Sequence, residues 1–369
     1  MRSILYVALL LSLGGCATME GVQSFKAAGD TENLHEKERR LWHEAAGYEN
    51  TIERSGQLYE HARATTYLQG VMDGLYPEFK GKIPVRIYDS TQLNAFAMPN
   101  GSIYINIGML ARIENEAQVA AVLGHEAVHF IEKHSFQQRV STKNAASFAV
   151  SGIPFASLAA ASSISGFSRE LEREADAMGY QRLVKAGYDP REAHKVFQYL
   201  ADEVKALDID EPYFFSSHPK LVDRIDEFKR LSAQHKGGGR TGSEQYNSIM
   251  SEIRLDALKK DIGQDRYKSV ILVMEDSKLR GYYPAASYFY LGEAYIRRDE
   301  PGDEGKALDA YKKAERLSPG FAPTYMRLGM HHMKKGSKVS ARQYFNRYLS
   351  LAPKDASDRG YVQQYLNSL

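Results

Sequence analysis

The chain has 369 residues, of which 43% are hydrophobic, 25% charged and 11% aromatic, the profile of an ordinary folded protein with room for two domains. A formal net charge of +2 excludes a polybasic nucleic-acid binder as the first reading. The lack of any long apolar run excludes a polytopic membrane protein, and a single cysteine excludes an internal disulfide framework.

Arg2 and the apolar run Ile4 to Leu13 have the charge and length of a signal-peptide n-region and h-region, too short to span a bilayer. The run ends in Leu13-Gly14-Gly15-Cys16, which resembles a bacterial lipobox. That resemblance implies a signal peptide over residues 1–15 and a lipidated Cys16 as the new N-terminus. Several acyl chains suffice for stable anchoring. Ala17, where an aspartate would imply inner-membrane retention, points to a periplasmic protein tethered to the outer membrane.

Residues Glu20 to Glu78 read as helical, with apolar positions at Leu34, Leu41, Leu58, Leu68, Val71, Met72 and Leu75, and Pro77 ends the stretch. Ile83 to Tyr88 is a short strand. Asn94 to Met98 and Ser102 to Ile107 are two more, flanking the turn Pro99-Asn100-Gly101. Val119, Val122, Leu123 and Phe130 recur at helical spacing between Glu114 and Lys133. Ser141 to Gly166 is rich in Ala, Ser and Gly and broken by Gly152 and Pro154; the segment from Ala145 to Gly166 reads as a buried loop and helix, with a lid or a membrane-touching hairpin as alternatives. A helix from Ser168 to Ala186 ends at Gly187. Asp189-Pro190 opens another, and His218-Pro219 repeats that device before Lys220 to Leu231.

Lys236 to Ser243 is glycine-rich and polar and reads as a linker, placing domains at 16–236 and 251–369 with 237–250 between them. Beyond it, Ala307, Tyr311, Ala314, Leu317 and Pro319 recur 34 residues later as Ala341, Phe345, Tyr348, Leu351 and Pro353. A helix–turn–helix period of that length resembles the tetratricopeptide repeat. Ser251 to Leu279 reads as a degenerate first copy. His331 and His332 are neighbours that point to different helix faces, so they carry no metal-site reading.

The chemistry is concentrated in His125-Glu126-Ala127-Val128-His129. On a helix, positions four apart share a face, so both imidazoles can reach one metal ion. Glu126 is turned about 100° from His125, near enough to act on water without ligating. Three protein ligands plus an open position make a catalytic zinc site, in which water becomes acidic near neutral pH and a glutamate can take its proton. A third ligand is needed. Glu172 and Asp176 lie four apart within Ser168 to Asp176, so Glu172 could ligate while Asp176 accepts the free N–H of a ligand histidine. Taken alone, that acidic segment reads as a solvated helix face.

Gly124-His125-Glu126-x-x-His129, followed by Ser168-Arg169-x-x-Glu172-x-x-x-Asp176, resembles the HtpX-like zinc endopeptidases. Asn94-Ala95-Phe96-Ala97-x-Pro99-Asn100-Gly101, Ala186 to Pro190, and Ser217-His218-Pro219 with Arg224 extend the resemblance. Within that family the architecture is similar to the BepA-like periplasmic proteases, which carry C-terminal tetratricopeptide repeats. The resemblance implies a mainly α fold, with an α+β gluzincin-type catalytic domain, a small sheet and a helical repeat domain. It implies one Zn2+ on His125, His129 and Glu172, with Glu126 as general base. His218 reads as a helix cap whose ring is kept neutral; the resemblance implies that it plugs the open zinc position at rest. Arg224 lies on the otherwise apolar stripe Leu221, Ile225, Phe228 and needs a partner there; the resemblance gives it a part in stabilising the tetrahedral intermediate.

Ser102, Ile103, Tyr104 and Ile105 read as an edge strand that binds extended substrate by strand addition, with a plain internal strand as the alternative. The function that follows is a lipid-anchored periplasmic endopeptidase for unfolded or misassembled outer-membrane proteins. Its repeats would meet the outer-membrane assembly machinery, and it would have no nucleic-acid partner. The alternative is a repeat-based chaperone or adaptor with a silent zinc site.

Overall fold

A computed structural model describes residues 22–141, 167–207, 221–235 and 237–369. Cys16, the segment from Ala145 to Gly166 and Ser217-His218-Pro219 lie outside the described residues. Helices α1 (Glu36–Arg54) and α2 (Ala62–Leu75) precede strands β1 (Val85–Tyr88), β2 (Ala95–Ala97) and β3 (Ile103–Asn106). Then come α3 (Ile107–Arg112), α4 (Glu116–Ile131), α5 (His134–Ser141), α6 (Arg169–Lys185), α7 (Ala193–Leu207) and α8 (Leu221–Gln234). The rest is helical: α9 (Ser243–Gly263), α10 (Tyr267–Glu275), α11 (Ser287–Arg298), α12 (Asp303–Leu317), α13 (Ala322–Lys334), α14 (Lys338–Leu351) and α15 (Arg359–Ser368). The protein is thus mainly α with one small sheet. None of the described helices is long and apolar enough to cross a membrane.

The sheet order is β1-β3-β2. β1 runs parallel to β3, with Val85 beside Ile103, while β2 runs antiparallel, with Ala95 beside Ile105. The turn at Pro99-Asn100-Gly101 folds β2 back on β3 through a bond from the Gly101 amide to the Met98 carbonyl (2.9 Å). β3 is therefore the central strand, which corrects the edge-strand expectation. Both sides of its backbone are paired, and all four of its residues are buried. Ile103 and Ile105 join a core with Leu68 and Met72 of α2 and with Val119 and Leu123 of α4. On the other face, Tyr104 stacks on Phe96 beneath Ala45 of α1. Ser102, Ile103, Tyr104 and Ile105 thus have no open main-chain edge to offer a substrate.

The glycine-rich run is not a free linker. The Arg240 amide donates to the Gly187 carbonyl (3.0 Å), the Asp189 amide to the Arg240 carbonyl (3.1 Å), and the Ala117 amide to the Thr241 carbonyl (3.0 Å). Gly239 passes so close to Tyr188 that a β-carbon would fall 2.3 Å from its carbonyl carbon. A small residue is needed for this seam rather than for flexibility. Residues 243–250, also expected in the linker, begin α9. Tyr246, Ile249, Met250, Ile253 and Ala257 of that helix belong to the first core, and Leu258 and Ile262 to the next.

α9 is also tied to the first core by charge. Buried Arg112 of α3 donates to both carboxylate oxygens of Glu203 on α7 (3.1 Å each) and to Asp261 of α9 (3.3 Å). Farther on, Gly292 of α11 faces the ring of Tyr311, and Gly329 of α13 faces that of Phe345, each too closely for a β-carbon. The recurring small and aromatic positions are thus the seams of successive helix pairs.

Candidate metal centre

α4 starts where the Asn115 side chain accepts a bond from the Gln118 amide (3.0 Å), satisfying a free helix-start N–H. It is buried along nearly its whole length. Any polar group on it therefore faces protein rather than water, and His125, Glu126 and His129 are 2%, 1% and 1% exposed. One turn apart, His125 and His129 bring their Nε2 atoms to 3.1 Å.

α6 begins at Ser168, whose side chain accepts from the Leu171 amide (3.4 Å). It crosses α4 where Gly179 meets Gly124 and His125, and the absence of side chains lets the two backbones touch. The Tyr76 hydroxyl donates to the Gly124 carbonyl (2.9 Å) and fixes that turn of α4. The crossing turns Glu172 inward. Its carboxylate oxygens lie 3.5 Å from His125 Nε2 and 3.6 Å from His129 Nε2. The segment that composition alone makes a solvated face is, at Glu172 and Asp176, buried.

Asp176, one turn on, places Oδ1 2.9 Å from His125 Nδ1. Arg224 of α8 clasps it with two bonds, Nε to Oδ2 (2.9 Å) and Nη2 to Oδ1 (2.7 Å). Burial raises the Asp176 carboxyl, but the Arg224 guanidinium and the His125 ring outweigh it and hold the group at about 2. Arg224 is itself buried, with its guanidinium 4.4 Å from the Phe197 ring centre and Nη1 3.5 Å from Glu172 Oε2. Its inward position on the α8 stripe thus has partners. Phe167 stacks on the His129 ring at 3.9 Å. His218 lies outside the described residues.

Sequence reasoning passed over His134. Its Nδ1 is 2.9 Å from His129 Nδ1 and its Nε2 3.3 Å from Glu174. Burial, and then the neighbouring His125, push its imidazole down to about 4.

The donors suit zinc. Two imidazole nitrogens and a carboxylate have ligand atoms all within 4.8 Å of one another. Tetrahedral ligands at about 2.0–2.1 Å from zinc are themselves about 3.3 Å apart, close to the spacings found here. Among the described residues, Glu126, Glu172 and Asp176 are three buried carboxylates beside the buried Arg224 guanidinium, a balance that a divalent cation suits.

Comparison with known proteins gives the same direction. A beta-barrel assembly-enhancing protease of Yersinia pestis is 25% identical over 185 residues, 45% of this chain and 38% of the relative. That of Escherichia coli K12 is 23% identical over 228 residues, 52% of this chain and 47% of the relative. The mitochondrial metalloendopeptidase OMA1 of Schizosaccharomyces pombe is 33% identical over 147 residues, 36% of this chain and 41% of the relative. The chain thus spans less than half the length of each of these curated relatives. Residues 64–232 match the model of peptidase family M48, so the part of the chain that holds the sheet, α4, α6 and α8 is a peptidase M48 domain.

Proposed function

We propose that the protein is a zinc metalloendopeptidase that hydrolyses peptide bonds in unfolded or misassembled outer-membrane proteins. The convergence of His125 Nε2, His129 Nε2 and the Glu172 carboxylate on one point carries the reading. When bound there, zinc supplies a Lewis acid that polarises the peptide carbonyl and acidifies water. Glu126, buried beside the two histidines, takes the proton of the attacking water and passes it to the leaving amine. Asp176 accepts the His125 Nδ1 proton, which turns Nε2 toward the ligand cluster. Arg224 fixes Asp176; its further part, electrostatic stabilisation of the tetrahedral intermediate, rests on the resemblance described above. His218 gates the open position at rest, a role that rests on the resemblance described above.

The relatives from Yersinia pestis and Escherichia coli are named for enhancing beta-barrel assembly. That supports outer-membrane proteins as clients; repeats that meet the assembly machinery and a lipidated Cys16 as periplasmic anchor rest on the sequence motifs described above. Casein digestion by the full chain, wild type beside Glu126→Gln, tests the reading. Loss of a general base costs about 100- to 10,000-fold in rate, so the variant should be nearly inert while retaining zinc. Equal cleavage by the two, or none by either with client proteins still bound, would turn the reading toward an adaptor with a silent site.

A further inference from the structure

His134 is fully buried, carries an ionisable ring and has no part in the mechanism above. It sits five residues after His129. Were α4 to continue, the two would lie about 140° apart around the helix and could not face each other. Instead α4 ends at Ile131, and Lys133 adopts a left-handed backbone (φ 57°) that is uncommon outside glycine. The conformation is held from three directions. The Lys133 amide donates to the Phe130 carbonyl (3.0 Å), its ammonium pairs with Glu38 (3.0 Å), and it lies 4.0 Å over the Phe25 ring. The chain turns back there, and His134 starts α5 with Nδ1 2.9 Å from His129 Nδ1.

We infer that His134 is a positioning residue for the metal centre, fixing the tautomer and orientation of His129 through a hydrogen-bonded chain that ends on Glu174. This rests on the zinc reading above. The protons follow from the geometry. His129 presents Nε2 toward His125 and Glu172, so its proton is on Nδ1 and is donated to His134 Nδ1. His134 then carries its own proton on Nε2, donated to the Glu174 carboxylate at 3.3 Å. Glu174 is partly exposed, so the chain runs from the buried ring to the surface. His125 leans on the Asp176 carboxylate, whereas His129 leans on a carboxylate through a second imidazole. The two ligand rings are therefore oriented by different devices.

The test uses the full chain and zinc itself, titrated against a chromophoric chelator. Loss of an outer hydrogen-bond partner of a ligand histidine typically weakens metal binding about 10- to 100-fold. His134→Phe, which keeps a ring but no acceptor, should show a loss of that order. His134→Asn, which keeps an acceptor close to the Nδ1 position, should recover most of it. Equal zinc affinity in His134→Phe and wild type, or equal weakening in both variants, would overturn the inference. Imidazole 15N NMR of the zinc-loaded wild type is independent of how the variants fold. It should show His129 protonated on Nδ1 and His134 on Nε2, and the opposite tautomer of His134 would overturn the inference. A wild type that binds no zinc would instead sink the metal reading on which the inference rests.

Discussion

Gly179 of α6 lies against His125 of α4 so closely that a β-carbon on it would sit 3.0 Å from the His125 amide nitrogen and 3.2 Å from its α-carbon. Both are backbone atoms of a buried helix, and they cannot swing aside as a side-chain end could. The contact sets how far apart the two helices stand, and therefore how far Glu172 is from the two imidazoles.

Gly179→Ala decides between two opposed effects. Alanine in place of a helical glycine gains about 1 kcal/mol in propensity, whereas overpacking a close contact costs about 1–3 kcal/mol. The clash with backbone should win. The expected outcome is weaker zinc binding with helix content unchanged, measured by chelator competition and circular dichroism. Unchanged affinity would mean that the crossing does not hold the ligand spacing.

Arg112→Met tests the buried triad. With the guanidinium gone, Glu203 remains as a buried carboxylate, while Asp261 keeps Arg266 at 3.1 Å. Breaking a buried ion pair from one side costs about 3–5 kcal/mol, while replacing all partners with apolar residues is often close to neutral. Urea unfolding should therefore show a large loss for Arg112→Met and a recovery on adding Glu203→Met, with Asp261 still paired to Arg266. Persisting instability in the double variant would assign the loss to packing instead.

Gly239→Ala distinguishes a seam from a linker. In a flexible linker, alanine for glycine is neutral or slightly stabilising. Here the added carbon meets the Tyr188 and Asp189 backbone at 2.3 and 2.4 Å. Thermal unfolding should show a destabilisation of about 1–3 kcal/mol, and an unchanged melting temperature would restore the linker.

How much of this was legible beforehand depends on range. Local signals carried well. The spacing of His125 and His129, the turn at Pro99-Asn100-Gly101, the end of α6 at Gly187 and the cap-and-proline start at Asp189-Pro190 all report on a few neighbouring residues, and the structure has them there. Signals set by tertiary contact did not carry. Whether β3 lies at an edge depends on β1 pairing beside it, which its own residues do not encode. Glu172 looked like part of a wet acidic face because the crossing at Gly124 and Gly179 is invisible in one helix. Gly239 carries the composition of a flexible segment but is small because another backbone touches it. His134 is not legible because its approach to His129 depends on the left-handed Lys133, whereas helical phase alone sets the two rings about 140° apart. The spacing of His125, His129 and His134 was the available hint.

Removing metal should loosen the catalytic half. A divalent ion held by His125, His129 and Glu172 adds binding free energy to the folded state alone. Ligand at about 1,000 times its dissociation constant stabilises by about 4 kcal/mol. A chelator should therefore lower the melting temperature, and added zinc should restore it. Identical melting with and without chelator would argue against a tightly held ion.

The most direct measurement is the metal stoichiometry of the purified full chain, together with the anomalous-scattering position of any bound ion in a crystal. One zinc per chain, within bonding distance of His125 Nε2, His129 Nε2 and a Glu172 oxygen, is the predicted result. An ion held without Glu172, or a chain that takes up no metal although its ligand histidines are intact, would contradict it.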